Sequence, residues 1–532
     1  MKAASRCAAP ALVLAALVLL PFLGKAFTID DTLFLKQAEH LLTDPLHPTA
    51  FEMVWSELAA PLRMSSIMPS GPVMAYLLVP CVRLGGAEWL AHLEQLVFFC
   101  LAILATTGIA LRLGLPKEAA LAAALLLAAT PAALAMAATA MPDVPAMALG
   151  ALGIERLLAS RESGRWHAGI AAAAFLALAA LARSHLLLLL GVAILLLPGD
   201  TIGWRRWREV PRPAWIPIVA APLVVLAVVL VTRDPEGRST VFAGSALGFN
   251  SPANLARNAT AFAVHWTLVL PLALPWAASR WRAIVRQPFP YVTTLAAGFV
   301  LLGEGVAHRV FFLAPAAGLG AGVLWDVISD GWRRRDRVQT ALGAWLLIAL
   351  PVTIYLHMPS KYLLASAPAA AILVARQLAQ APRRLSMALL GATIAAGIVL
   401  GVLIVRADAA FAALGRRAAA ELIAPNVAAG SNVWFAGHWG FQWYAEKAGA
   451  RCLTTTTPPR RGDLAVSSRN GLGQAIKFFP RRELLAALEE SRPGGRIMSR
   501  KLGCGFFSNY WGYLPWAWGD DLLDRYDLWR LE

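Results

Sequence analysis

The sequence predicts an all-α polytopic membrane bundle of about 13 transmembrane helices, followed by a small C-terminal α/β soluble domain. Three observations predict this class. Of the 532 residues, 58% are hydrophobic and 15% are charged, whereas an ordinary soluble protein carries about 25% charged residues. Apolar runs of about 17 to 25 residues recur along the chain, which suits helices that cross about 30 Å of hydrocarbon. Residues 406–532 contain 17 of the 48 Lys and Arg residues and no such run.

The apolar runs assign the candidate spans and the domain division. Lys2 and Arg6 precede a first run that resembles a signal peptide, but no A-x-A cleavage site follows, so an uncleaved first span is favoured. We expect a transmembrane domain over 1–405, with an external loop and juxtamembrane helices over about 25–88, and a soluble domain over 406–532. The candidate spans are 8–24, 89–111, 119–138, 144–160, 167–182, 185–199, 214–231, 261–279, 289–307, 310–328, 340–357, 361–378 and 386–405.

The further apolar stretch 69–85 is ambiguous, and charge decides its placement. If it does not cross, one side of the membrane holds about 21 Lys and Arg residues and the opposite loops hold about 10. Lys and Arg accumulate on the cytoplasmic side, so 69–85 is predicted to be a re-entrant or surface-lying helix. The N-terminus is then cytoplasmic, and the soluble domain is periplasmic or extracytoplasmic at the inner (plasma) membrane. This topology also explains the net charge of +16, so nucleic acid is not a predicted partner.

Local patterns predict the smaller elements. The segment Asp30–Leu42 has apolar residues at helical spacing and reads as an amphipathic helix on the membrane, and 232–260 reads as a polar external loop. Cys452 and Cys504 could pair in an oxidising compartment. In the terminal domain we expect strands over Asn432–Ala436 and Asp463–Ser467 and helices over Phe441–Gly449 and Arg481–Ser491.

Titratable residues collect at the ends of the spans, on the external side of this topology. Such residues are costly near hydrocarbon and are therefore functional candidates. Structural roles remain open as alternatives to a functional role. An Asp can cap the following helix, and an Arg or Lys can anchor a span by reaching the membrane interface. The candidates are Asp30, Asp31, Asp143, Arg183, His185, His308, Arg309, His357 and Lys361.

A membrane face with these groups suits group transfer from a lipid phosphate. Arg and Lys would bind phosphate through charge-assisted hydrogen bonds, and a carboxylate would act as general base on an acceptor hydroxyl. A divalent metal such as Mg²⁺ or Mn²⁺ could assist if two carboxylates shared it, and Asp30 and Asp143 are the candidate ligands.

Five motifs carry a family resemblance. They are DDTLFLKQAEHLL after the first span, MPSGPVMAYLL, TAMPDVPAMALGALGIERLLA, KYLLASAPAAAILVA and VWFAGHWGFQWYAEKAGA. In these motifs the chain resembles the multi-spanning GT-C glycosyltransferases that use polyprenyl-phosphate-linked sugars. The related groups are protein O-mannosyltransferases, aminoarabinose transferases that modify lipid A, and RgtA/B/C/D-like lipopolysaccharide sugar transferases.

The resemblance implies roles for the candidates. Asp30 or Asp31 would be the catalytic base, and Asp143 would support catalysis or metal binding. Lys361, with Tyr362 beside it, would contact the donor phosphate, and Arg309 or Arg183 would complete the clamp. The secondary candidates are His185, His308 and His357.

The chain departs from the family pattern at Met68–Pro72. Many relatives carry a basic residue before two prolines there, and this chain has none. Arg63 or Arg83 is the candidate substitute.

The leading hypothesis is a membrane glycosyltransferase. It would transfer a sugar from a polyprenyl-phosphate-linked donor to a glycolipid, polysaccharide or protein acceptor at the external face. A polytopic transporter or lipid flippase is the alternative, although the chain has no evident internal repeat and its ionisable residues lie at one face rather than at the midplane. A scaffold that only presents the terminal domain is a third hypothesis.

Overall fold

The structure is a computed structural model that describes residues 2–55, 60–68, 71–198, 207, 209–237, 251–305, 309–454 and 456–532. The candidate residue His308 and much of the predicted loop 232–260 lie outside the described residues.

Helices make up most of the described chain before the terminal domain. The helices are α1 (Lys2–Leu19), α2 (Asp31–His40), α3 (Met64–Ile67), α4 (Val73–Leu77), α5 (Val79–Arg83), α6 (Glu88–Arg112), α7 (Lys117–Ala128), α8 (Pro131–Met136), α9 (Asp143–Ser163), α10 (Trp166–Ala182), α11 (Leu189–Leu196), α12 (Ile216–Thr232), α13 (Pro252–Leu268), α14 (Ala273–Ile284), α15 (Phe289–Gly303), α16 (Val310–Arg333), α17 (Arg337–Leu346), α18 (Ala367–Leu378), α19 (Arg383–Ala418), α20 (Ala424–Ala428) and α21 (Trp439–Lys447).

Several of these helices are suited to a membrane. Among the described residues, six helical stretches are long and apolar enough to cross one, or seven if α13 and α14, which bend by 97°, count as one span. The predicted class of helical membrane protein is therefore confirmed in this coarser form, and the predicted number of 13 spans stays a prediction.

Two predicted spans are broken. The stretch 119–138 divides into α7 and α8, because Pro131 lacks the N–H that would continue α7 and instead begins α8. The stretch 261–279 divides at residues 269–272 between α13 and α14.

The stretch 69–85 contains only α4 and α5 within its described part. Together they cover 10 residues, which rise about 15 Å, roughly half of the hydrocarbon thickness. The first loop also contains α2, at the predicted place. Leu33, Phe34 and Leu35 of this helix are buried in the protein, where α4 and α21 pack against it, and its position at the membrane surface stays a prediction.

The terminal domain contains a five-stranded sheet, so the predicted α/β class is confirmed. Its strand order is β4-β3-β5-β11-β6, with β3 parallel to β4 and β5, and β11 antiparallel to β5 and β6. The strands of the chain are β1 (Glu52–Val54), β2 (Pro61–Arg63), β3 (Val433–Ala436), β4 (Arg451–Cys452), β5 (Leu464–Ser468), β6 (Arg482–Glu490), β7 (Gly494–Arg496), β8 (Met498–Ser499), β9 (Cys504–Gly505), β10 (Ala517–Gly519) and β11 (Asp524–Leu531).

Two expectations for this domain are wrong. The predicted helix Arg481–Ser491 is the edge strand β6, since pairing along the free edge of β11 outweighs the helical propensity of LLAALEE. Cys452 and Cys504 do not pair, and both thiols are free. The predicted strands and the helix α21 are confirmed at β3, β5 and α21.

The terminal domain packs against the first loop. The Thr32 hydroxyl donates to the Trp439 carbonyl at 2.6 Å, the Phe27 N–H donates to the Tyr444 hydroxyl at 2.8 Å, and Lys36 pairs with Glu446 at 2.5 Å. Helix α19 runs without a break across residue 405 into the domain. The first loop and the terminal domain therefore lie on the same side of the helical bundle.

Candidate active site

The chain turns sharply just before α2. Ile29 has a φ of +38°, a left-handed conformation that β-branched residues rarely adopt. Asp30 follows at the N-cap position, yet its side chain makes no capping hydrogen bond, and Asp31 is the first helical residue. The two neighbouring carboxylates consequently have different partners, which distinguishes residues that the sequence left equivalent.

Asp31 is bound entirely by backbone. Its Oδ2 accepts the Thr28 N–H at 2.8 Å and its Oδ1 accepts the Ala140 N–H at 2.8 Å, with no exposed surface. Burial raises the pKa of the Asp31 carboxyl to about 7, although the Lys25 ammonium opposes the rise. Since Ala140 lies in the TAMPDVP turn, Asp31 ties this turn to the first loop, which is a positioning role.

Asp30 pairs with Lys361. The Lys361 Nζ lies 2.7 Å from the Asp30 Oδ2 and 3.4 Å from the Met141 Sδ. The lysine side chain is 3% exposed and the aspartate side chain 25%, so the carboxylate is the accessible member of the pair. Burial alone would raise the pKa of Asp30, but the charge and hydrogen bond of Lys361, helped by His357 and Arg183, hold it below its ordinary value.

A second ion pair lies beside the first. The Arg183 Nη2 donates to the Asp143 Oδ2 at 2.8 Å. The Arg183 guanidinium carbon lies 5.4 Å from the centre of the Tyr362 ring, and the Lys361 Nζ lies 6.0 Å from the same ring. Both cations therefore lie close to Tyr362, and the His185 ring centre lies 6.4 Å from the same ring.

The site retains unused hydrogen-bonding capacity. Arg183 Nε and His185 Nε2 are buried without a hydrogen-bond partner among the described residues. The Asp30 and Asp143 carboxylates each accept a hydrogen bond through Oδ2. Among the described residues, none donates to the Oδ1 atom of either carboxylate. A buried donor without a partner costs about 1–3 kcal/mol, which a ligand oxygen would remove.

The terminal domain completes the site from the other side. The Asn509 Oδ1 accepts the Met358 N–H at 2.9 Å, and the Phe506 carbonyl accepts the Ser360 N–H at 3.0 Å. His357 Nδ1 lies 2.8 Å from the Ser508 hydroxyl oxygen. The segment 506–509 thus holds the turn that carries Lys361.

An asparagine on α13 extends this contact. The Asn258 Nδ2 donates to the carbonyls of Thr353 and Tyr355 at 3.0 and 2.7 Å, and its Oδ1 accepts from Asn509 Nδ2 at 2.9 Å. Neither asparagine was singled out in the sequence. Asn258 lies in the polar first half of α13, among Asn254, Arg257 and Thr260, so its sequence context did not mark it.

Other candidates do not join the cluster. The Arg309 Nη2 donates to the Lys501 carbonyl at 2.6 Å, which places it against the terminal domain instead of against Lys361. Arg63 pairs with Asp234 and Glu236, so it joins the first loop to the segment that follows α12. Glu304, a charged residue inside the predicted span 289–307, accepts from the Tyr513 hydroxyl and lies 3.8 Å from Arg257.

The described residues do not match the donor set of a divalent-cation site. They contain no group of three His, Cys, Asp or Glu side chains that could bind a metal ion. The two candidate ligands, Asp30 and Asp143, are already engaged by the cations of Lys361 and Arg183. We therefore derive no step through a metal.

Comparison with known proteins gave structural similarities alone. No protein-family model and no curated protein matches the chain. The chain is similar to the oligosaccharyltransferase of Archaeoglobus fulgidus, in a complex with Zn and sulfate, over 84% of its own length and 62% of the other chain, at 14% identity and a TM-score of 0.49. The chain thus spans about three fifths of that relative.

Two further solved structures are similar. ArnT of Cupriavidus metallidurans, bound to undecaprenyl phosphate, matches 91% of this chain and 96% of its own at 14% identity and a TM-score of 0.45. The arabinofuranosyltransferase AftD from mycobacteria matches 100% of this chain and 40% of its own at 14% identity and a TM-score of 0.41. These structures are GT-C glycosyltransferases, the group that the sequence motifs resemble. All three TM-scores lie below 0.5, so the activity is argued below from the site.

Proposed function

We propose that this chain is a membrane glycosyltransferase that transfers a sugar from a polyprenyl-phosphate-linked donor to an acceptor hydroxyl at the external membrane face. The observation that carries the proposal is the pair of cations, Lys361 and Arg183, which both lie within about 6 Å of the Tyr362 ring centre, each beside a carboxylate with an unused oxygen. The acceptor is a glycolipid, a polysaccharide or a protein.

The cations suit the donor phosphate. Lys361 and Arg183 are both largely buried, and charge-assisted hydrogen bonds to a phosphate are strong where water is excluded. The buried Arg183 Nε and His185 Nε2 have no partner among the described residues and would donate to phosphate oxygens.

Asp30 suits the base. When a donor phosphate competes for Lys361, it weakens the contact between the ammonium and the Asp30 carboxylate. The carboxylate then accepts the proton of the acceptor hydroxyl. The acceptor oxygen forms a bond to the anomeric carbon, the bond from that carbon to the phosphate oxygen breaks, and polyprenyl phosphate leaves as an anion held by Lys361 and Arg183. Attack opposite the leaving group inverts the anomeric carbon.

The topology follows the charge distribution. We propose about 13 spans, an N-terminus in the cytoplasm, and a division at residue 405 between the transmembrane and the external soluble domain. The packing of the terminal domain on the first loop supports placing both on one side of the membrane. With this orientation the Lys361 site faces the exterior of the inner membrane.

The test is a transfer assay on the full-length protein in detergent, where no ion gradient exists. Synthetic polyprenyl-phosphate sugars are offered with envelope glycolipids as acceptors, and released polyprenyl phosphate is measured by mass spectrometry. We expect release with the wild-type chain and none with the double variant Asp30→Asn, Lys361→Met. Mass spectrometry of surface glycans from cells with and without the protein identifies the sugar.

The result also separates the alternatives. A transporter or flippase would release no polyprenyl phosphate in detergent, and would instead move a labelled lipid across proteoliposomes. A scaffold would bind the polyprenyl phosphate without turnover. Equal release by the wild type and the double variant would refute the assignment of Asp30 and Lys361.

A further inference from the structure

A cavity of about 210 Å³ lies between α19 and the terminal domain, apart from the candidate active site. Its wall on the helix is formed by Leu403, Arg406 and Ala410, which recur at helical spacing and share one face of α19. The opposite wall includes Arg492 and the indoles of Trp516 and Trp518. The volume corresponds to about seven water molecules, so the cavity admits a head group rather than a whole lipid.

The cavity lies at the edge of the membrane. The apolar part of α19, residues 386–405, is about 30 Å long, which matches the hydrocarbon thickness. Arg406 is the first charged residue after it, so its guanidinium lies at the level of lipid head groups. Trp518 is 63% exposed at the same opening, and exposed tryptophans are typical of this interface.

The charges in the cavity are unbalanced. Among the described residues, the guanidinium groups of Arg406 and Arg492 have no hydrogen-bond or ion-pair partner. The one acidic residue of the lining, Glu490, lies 3.7 Å from Arg417, which offsets its charge. The Trp516 Nε1 is buried without a partner among the described residues and is a further free donor.

We propose that this cavity binds the phosphate-bearing head group of a membrane lipid. Two free guanidinium groups and an indole N–H match the oxygens of a phosphate diester, and the position at the end of the span lets the acyl chains lie in the bilayer along α19. The site is separate from the Lys361 cluster, because Asp408 and Phe411 on another face of α19 contact the first loop and Trp439.

The test is native mass spectrometry of the delipidated full-length protein, titrated with phosphatidylglycerol and, separately, with diacylglycerol of the same acyl chains. We expect one phosphatidylglycerol per chain at concentrations where diacylglycerol does not bind. The double variant Arg406→Gln, Arg492→Gln should weaken this binding at least about ten-fold, since both charge-assisted contacts are lost. The control Arg461→Gln changes an exposed arginine of the same domain and should leave binding unchanged.

A second variant tests the cavity without changing its charge. Ala410→Phe places a ring in the opening and should weaken phosphatidylglycerol binding as much as the double variant does. Lys361→Met should leave it unchanged, which separates the cavity from the candidate active site. The proposal would be overturned if diacylglycerol or soluble glycerol phosphate bound as tightly as phosphatidylglycerol does. It would also be overturned if both cavity variants bound phosphatidylglycerol as tightly as the wild type.

Discussion

Charged residues form clusters at both ends of the helical bundle, and the two clusters are built differently. At the end opposite the terminal domain, Asp326 accepts hydrogen bonds from Trp276, Arg280 and Gln287 and is fully buried. Asp330 accepts from Arg280, Arg334 and Gln339. At the end beside the terminal domain, Asp30 and Asp143 each have one cationic partner and one unused oxygen.

This difference separates a structural from a functional arrangement. A carboxylate whose lone pairs are all used, as at Asp326, has no capacity left for a ligand, and its ion pair holds α14 to α16. The Asp30 and Asp143 pairs are less complete, and a buried Arg183 nitrogen beside them has no partner among the described residues. Residues of one chemical type therefore stabilise the fold at one end and leave binding capacity at the other.

The largest expected effect is on catalysis, from Asp30→Asn. This change keeps the shape but removes the base, and a positioned general base contributes about 10²- to 10⁴-fold to a rate. We expect the transfer rate to fall by that factor with little change in thermal stability. The matched change at the other end, Asp326→Asn, should leave the rate per folded molecule intact. Equal loss of activity in both variants would contradict the comparison.

The next effect is on stability, from Arg280→Met. Removal of this guanidinium leaves the buried Asp326 carboxylate without its cation, which costs about 3 kcal/mol. We expect a clear decrease in the melting temperature measured by detergent-compatible fluorimetry, with transfer kinetics of the remaining folded protein unchanged. A melting temperature equal to that of the wild type would show that the cluster does not hold the helices.

The sequence predicted the fold well where a pattern is local. Apolar length located the helices, and the arginine distribution removed 69–85 from the spans, in agreement with two short helices there. Local patterns failed at β6, where a helix-forming stretch pairs with the edge of a strand more than 30 residues later. The break at residues 269–272 was also missed, although Pro271 lies within it and lacks the N–H that would continue α13.

Six of the predicted site residues come together, but Arg309 does not join them, and the geometry of their contacts was not predicted. The six are Asp30, Asp143, Arg183, His185, His357 and Lys361. The sequence could not separate Asp30 from Asp31, because the distinction depends on the left-handed turn at Ile29. Asn509 lies 151 residues from the turn that it binds, so no local pattern could have revealed it.

A smaller effect is expected from Asn509→Ala. This change loosens the cluster that contains Asp30 and Lys361 and leaves the Asp326 cluster at the other end of the bundle intact. It leaves the Met358 N–H and the Asn258 Oδ1 without partners, and the turn that carries Lys361 loses its support. We expect the KM for the donor to rise about ten-fold with a smaller change in kcat, and Asn509→Asp, which keeps the acceptor oxygen, to recover part of it. The control Asn432→Ala removes an amide of the same domain that contacts Asp463 and should leave the KM unchanged.

The smallest effect is a shift in pH dependence, measured in Lys361→Met. In the wild type Lys361 holds the pKa of Asp30 below its ordinary value, so the base stays ionised and the acid limb of the rate profile lies at low pH. A depressed folded-state pKa also adds stability above the unfolded pKa, and that stability is lost as the pH falls through the folded pKa. Without the ammonium, burial dominates and the Asp30 pKa rises, so the acid limb should move to higher pH. Arg280→Met should leave the limb in place, and an unshifted limb in Lys361→Met would mean that the titrating base is a group other than Asp30.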